Sequence, residues 1–132
     1  MANPNIAGAS TTIYGVTDYL TPGGTTAVVL LPNGGTSNSV MKINQIVAAN
    51  VNGTSAVDCT VALYTNGAVA KGSAPSGGAA YPIASTVSVP ADASLIVMDK
   101  TSAMYLMEGN SIIVTSGTAS GITYTISYEL IT

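Results

Sequence analysis

The chain predicts an all-β fold, an antiparallel β-sandwich or jelly roll of about eight strands. Three observations carry the prediction. Apolar and polar residues alternate at period two along several segments. Thr, Ser, Val, Ile and Gly dominate, while the helix formers Glu, Lys, Arg and Gln are scarce. Turn residues punctuate the apolar segments at spacings of about 8–15 residues, as short sandwich strands require.

Residues 13–16 either open the sheet or lie along a neighbour. Residues 26–31 form a short apolar run suited to a core strand. Met41, Ile43 and Val47 mark a further strand. Val57, Cys59, Val61 and Leu63 alternate with Asp58, Thr60, Ala62 and Tyr64 and are expected to point inward. Val87 and Val89 belong to another strand, and residues 95–98 and 112–115 are compact apolar runs. Residues 101–107 can form one helical turn or a short strand. The clearest strand is C-terminal: Ile122, Tyr124, Ile126, Tyr128 and Leu130 share one face, and Thr123, Thr125, Ser127 and Glu129 share the other. Between the strands, Asn33-Gly34, Asn52-Gly53 and Asn66-Gly67 read as turns that exploit positive φ. Pro22-Gly23-Gly24, Glu108-Gly109-Asn110 and Ser120-Gly121 are further breaks. Residues 68–80, AVAKGSAPSGGAA, form the one long low-complexity loop.

At 132 residues the chain is expected to be one domain, 1–132, without disulfide or metal support. Only 7% of it is charged, against 47% hydrophobic. A soluble domain usually carries about a quarter charged residues, so much of this surface is expected to be covered by neighbouring subunits. Three lysines and a net charge of −3 argue against nucleic acid as a partner. The longest clean apolar run, residues 27–31, is far shorter than the ~20 residues a membrane helix needs, so no membrane partner is expected. The opening MANPNIAGAS lacks the basic start and apolar stretch of a secretion signal, and synthesis in a cytoplasm is expected.

The residues for catalysis are missing. The chain has no His to shuttle protons and no Arg to clamp phosphate or carboxylate. Lone Cys59 has no activating partner and reads as a buried small hydrophobe. The six carboxylates, Asp18, Asp58, Asp92, Asp99, Glu108 and Glu129, show no pairing or calcium-loop spacing, and Asp92 and Asp99 read as turn and cap residues. No enzyme activity, cofactor or metal is expected. Asn52-Gly53-Thr54 matches a glycosylation sequon and reads more simply as a turn.

Seven tyrosines stand in for every Phe and Trp. Tyr124 and Tyr128 read as core. Tyr14, Tyr19 and Tyr81 fall near segment starts or loops, where a ring and a hydroxyl suit contact with a partner or a sugar. Met104, Tyr105, Leu106 and Met107 form an apolar cluster that is either core or a seam between subunits.

The segments MANPNIAGASTTIYGVT, VNGTSAVDCTVALYTN and VPADASLIVMDKTSAMYLMEGNSIIV, with the closing ITYTISYEL, resemble a family of small virion proteins of tailed phages of cyanobacteria and other aquatic bacteria. The resemblance covers more than half the chain, in the family's order. It implies a capsid decoration or cement protein on the virion exterior, a homotrimer bound to the phage major capsid protein. It also implies an extended N-terminal arm within residues 1–16 that contributes Asn3, Pro4, Ile6 and Ile13 to the contact. The run AVAKGSAPSGGAAYP departs from the compact form the resemblance leads one to expect, and this loop is expected to face solvent. Two other readings stand beside this one: a tail or fibre component binding host carbohydrate, and a bacterial surface or pilus-like subunit.

Overall fold

The computed structural model describes residues 4–5, 7–8 and 11–132. Its nine strands are β1 (Ile13–Leu20), β2 (Val28–Pro32), β3 (Val40–Asn50), β4 (Val57–Tyr64), β5 (Ala80–Val89), β6 (Ser94–Met98), β7 (Met104–Leu106), β8 (Ser111–Ser116) and β9 (Ile122–Ile131). A single 3-10 turn, Lys100–Ser102, separates β6 from β7. No helix among the described residues is long and apolar enough to cross a membrane.

All the strands pair antiparallel, in two sheets. The first, sheet A, runs β1-β9-β3-β6, with β7 alongside β3 on the same edge as β6. The second, sheet B, runs β2-β8-β4-β5. The chain therefore behaves as one long antiparallel hairpin bent at the β4–β5 connection and rolled up. β1 pairs β9, β2 pairs β8, β3 pairs β6 and β7, and β4 pairs β5. That strand order is a jelly roll, which decides between the two architectures the sequence left open. Nine strands fill eight positions, because residues 94–106 occupy one edge position as two short strands broken by the turn.

The core lies between the sheets. Sheet A contributes Met41, Ile43, Ile46, Ala48, Ile122, Tyr124, Ile126 and Tyr128, and sheet B contributes Leu30, Val57, Cys59, Val61, Ile112 and Val114. The inward alternation expected for Val57, Cys59 and Val61 is realised, with Leu63 half-buried at the margin. A bulge at Asn44 shifts the phase of β3. Ile46 and Ala48 therefore follow Ile43 inward, and Val47 turns outward instead of joining the core.

Two corrections concern the chain's start and its turns. Residues 13–16 are not part of an arm: they are the first half of β1, held along β9 from Ile13↔Ile131 onward. Any arm ends before Thr12, which exchanges both backbone hydrogen bonds with Thr132 (2.9 Å each). The Asn-Gly pairs do mark strand ends, but Gly34, Gly53 and Gly67 all lack positive φ. Positive φ falls on other residues, among them Asp92, Gly109 and Ser120, third in the turns closed by Ala93 N–H to Pro90 (3.1 Å), Asn110 N–H to Met107 (3.2 Å) and Gly121 N–H to Thr118 (3.0 Å).

Buried asparagines tie the loops at the two ends of the sandwich. Asn33 Nδ2 donates to the carbonyls of Ser39 (3.0 Å) and Leu106 (3.1 Å), and its Oδ1 accepts from Ser37 (2.6 Å). At the other end Asn50 Nδ2 donates to the carbonyls of Ser55 (3.0 Å) and Val89 (2.8 Å). A side-chain amide satisfies several orphan carbonyls at once where the chain crosses between sheets.

Candidate functional site: the outward face of sheet A

The two outward faces of the sandwich differ. On sheet B, Val29, Ala62, Tyr64 and Ile113 point outward yet are buried, because the β4–β5 connection folds back over them with Val69 packed on top. This connection, residues 65–79, is pinned along its length. Gly72 N–H donates to Val29 O (2.8 Å), and Val29 N–H donates to Ser73 O (2.9 Å), which occupies the free edge of β2. Asn66 Nδ2 donates to Ser76 O (2.7 Å), and Gly78 N–H donates to the Tyr64 hydroxyl (3.0 Å). At its middle Lys71 forms an ion pair with Asp18 of β1, and its ammonium lies 5.3 Å from the centre of the Tyr19 ring. The glycine-rich run is exposed over most of its length, as expected, but it is a strap between β2 and β1.

Burial pulls the Asp18 carboxyl upward. The Lys71 ammonium and the Tyr19 amide, which donates to Asp18 Oδ1 (2.8 Å), outweigh that pull and hold it below the usual aspartate value.

Among the described residues, nothing comparable covers most of the outward face of sheet A. The register places its outward side chains in cross-strand rows. One row is Tyr19, Thr125, Val47 and Ile96, and another is Gly15, Glu129, Lys42 and Tyr105. Between them Thr17 hydrogen-bonds Ser127 (3.0 Å), and beyond the first row Thr21 bonds Thr123 (2.8 Å). Tyr19 (69% exposed), Ile96 (59%), Ile13 (57%) and Tyr105 (47%) put large apolar groups in water on this face. Lys42 and Glu129 are its only charged side chains in the strand register. They are register partners but form no ion pair with each other.

Of the residues expected to contact a partner, Ile13, Tyr19 and Tyr105 therefore lie on one surface. Tyr14 projects from the opposite side of β1, and Tyr81 lies on β5, the edge of sheet B. Met107 is exposed in the turn after β7, and Pro4 is half-buried. Met104 is half-buried and packs against the core, because it shares the inward phase of β7 with Leu106. Asn3 and Ile6 lie outside the described residues. Ile96 escaped the sequence reading because its neighbours Leu95 and Val97 are also apolar. Alternation along β6 turns both neighbours inward and leaves Ile96 outward, and the register shift at Val97 brings Met98 into the core as well.

The titratable groups inside the fold serve packing. Burial, opposed in part by a hydrogen bond with Tyr124, pushes the Cys59 thiol above its usual value. Burial, with the neighbouring Cys59 adding to it, raises the Tyr124 hydroxyl strongly. That hydroxyl donates to the Thr115 carbonyl. Asp99 accepts from Thr101 and caps the 3-10 turn, which holds its carboxyl below the usual range. Among the described residues no three His, Cys, Asp or Glu side chains gather as a metal site would require.

Comparison of the chain with protein-family models, curated proteins and solved structures found no match.

Proposed function

We propose that this protein is a structural subunit of a phage virion, a decoration or cement protein that stabilises the head through contacts with copies of itself and with the major capsid protein. The observation that carries the assembly part is the open face of sheet A, where Tyr19, Ile96, Ile13 and Tyr105 stand in water and the strands direct only Lys42 and Glu129 outward as charged residues. Interface centres are depleted in charge and enriched in aromatic residues, and this face has both properties. The charge-poor composition points the same way, since a surface with so few charges keeps a free monomer in solution poorly. A rigid jelly roll suits the task, although the same architecture also serves lectins, so the fold alone does not decide the function. The phage, the capsid exterior and the three-fold grouping rest on the resemblance in the sequence.

The test is reconstitution. Purified protein is mixed with phage heads that lack it, and bound copies are counted by quantitative gel and located by labelling. Saturable binding at a fixed copy number per head supports the reading, and a chain lacking residues 2–11 should lose it while keeping the fold. No binding to heads, with label at the tail tip or on host cells, overturns it in favour of an adhesin. The exposed Tyr19, Tyr81 and Tyr105 would then be the sugar-binding candidates.

A further inference from the structure

We infer that the outward face of sheet A docks against the same face of a second copy of this chain, across a two-fold axis. The inference rests on the contacts between copies proposed above, names the surface that makes them, and puts a two-fold in place of the three-fold grouping that the sequence resemblance implies.

The protein's own construction leaves this surface as the place for a copy. The strap of residues 65–79 covers Val29, Ala62, Tyr64 and Ile113 on the outward face of sheet B and leaves only its edge strand β5 open, with Tyr81 and Ile83 exposed. The free sheet edges are unsuited to strand addition. Gly72 and Ser73 occupy the edge of β2. The Tyr19 amide on β1 is taken by Asp18, which Lys71 holds in place. Pro82 and two register shifts interrupt β5. A 3-10 turn divides the last edge between β6 and β7. Blunted edges prevent open-ended sheet extension and direct association to a face.

The charge pattern selects the occupant. Lys42 and Glu129 sit side by side, unpaired with each other, at the centre of the rows that carry Tyr105 and Gly15. A face with one adjacent charge of each sign has no net preference for an acidic or a basic partner. Turned on itself about a two-fold, it sets Lys42 against Glu129 of the second copy, twice, and lays the Tyr19–Ile96 row over apolar surface. Isologous contacts have this self-complementarity.

Sedimentation equilibrium on the full chain tests the contact. The wild type should show twice the monomer mass of 13.1 kDa. Lys42→Glu and Glu129→Lys should each weaken association by about a hundredfold or more, because like charges meet across the axis. An equimolar mixture of the two variants should restore association, since it brings an all-basic face against an all-acidic one. Ile96→Glu, at an exposed site, should abolish association without lowering the melting temperature. A wild type that stays at 13.1 kDa at millimolar concentration overturns the inference, as do single charge variants that associate like wild type or a mixture that does not recover. A three-fold mass places the self-contact elsewhere and overturns the two-fold. Head binding measured on the same samples separates these outcomes from failure of the decoration reading.

Discussion

Gly67 sits where no side chain fits. A Cβ there would lie 2.0 Å from the Asn33 carbonyl oxygen and 2.6 Å from that of Asn110, both backbone atoms that cannot swing away. Its own amide donates to Gly109 O (2.8 Å), so three loops converge on this point. Gly67→Ala should cost at least about 3 kcal/mol, read as a fall in the urea midpoint, whereas Gly34→Ala, with open space around it, should cost little. Tyr124 is the corresponding point inside the core. Tyr124→Phe strands the Thr115 carbonyl and should cost about 1–2 kcal/mol. Because burial raises this hydroxyl above the ordinary tyrosine value of 10.0, its protonated form is bound more tightly in the native state. Its contribution is fully present below pH 10.0 and is lost as pH climbs toward the folded value. Wild-type stability should therefore fall above pH 10, and the fall should be shallower in Tyr124→Phe, with urea titrations from pH 8 to 11 as the measurement.

The element that most separates the fold from its sequence is the strap of residues 65–79. Its composition, rich in Gly, Ala, Ser and Pro, reads as solvent-facing loop. What holds it is pairing to Val29, some forty residues earlier, and the Lys71–Asp18 ion pair, and neither has a local signal. By contrast β4 and β9 were legible because period-two alternation is a local property, and it put Val57, Cys59, Val61, Ile122, Tyr124 and Ile126 in the core. The candidate face was legible only in part. Tyr19 and Tyr105 stood out as residues, but their shared surface with Ile96 depends on β9 and β3 lying between them, and strand order is not written in any one segment. The strap also makes a testable electrostatic claim. The Asp18 carboxyl is held below the usual value of 3.8, so its stabilisation is present above that pH and disappears as pH falls through the lower, folded value. Both partners are about one-third exposed, which limits the pair to roughly 0.5 kcal/mol at neutral pH. Asp18→Asn should lose about that much at pH 6 and nothing relative to wild type at pH 2. The urea midpoint of the two proteins at both values is the measurement, and an unchanged difference at pH 2 would remove the ion pair from the account.

At the scale of the molecule, charge is what this protein lacks. Three lysines oppose six carboxylates on 132 residues, and the calculated isoelectric point is 4.2. At pH 7 the net charge of −3 is the main long-range repulsion between copies, and it is small. As pH falls toward 4.2 the carboxylates protonate and that repulsion vanishes, while the open face of sheet A, carrying Tyr19, Ile96, Ile13 and Tyr105, is still exposed. Loss of net charge and an unburied apolar face act in the same direction, toward association. Solubility should therefore pass through a minimum near pH 4.2 and recover below about pH 3, where the three lysines leave the molecule positive. The apolar face and the net charge can be separated, because Ile96→Glu and an added acidic residue on the strap-covered side of sheet B change net charge equally. If the face governs association, light scattering at pH 5 should fall much further for Ile96→Glu than for the control. Equal effects would mean that net charge alone sets the solubility, and that the exposed tyrosines and isoleucines of sheet A contribute nothing to how copies of this protein meet.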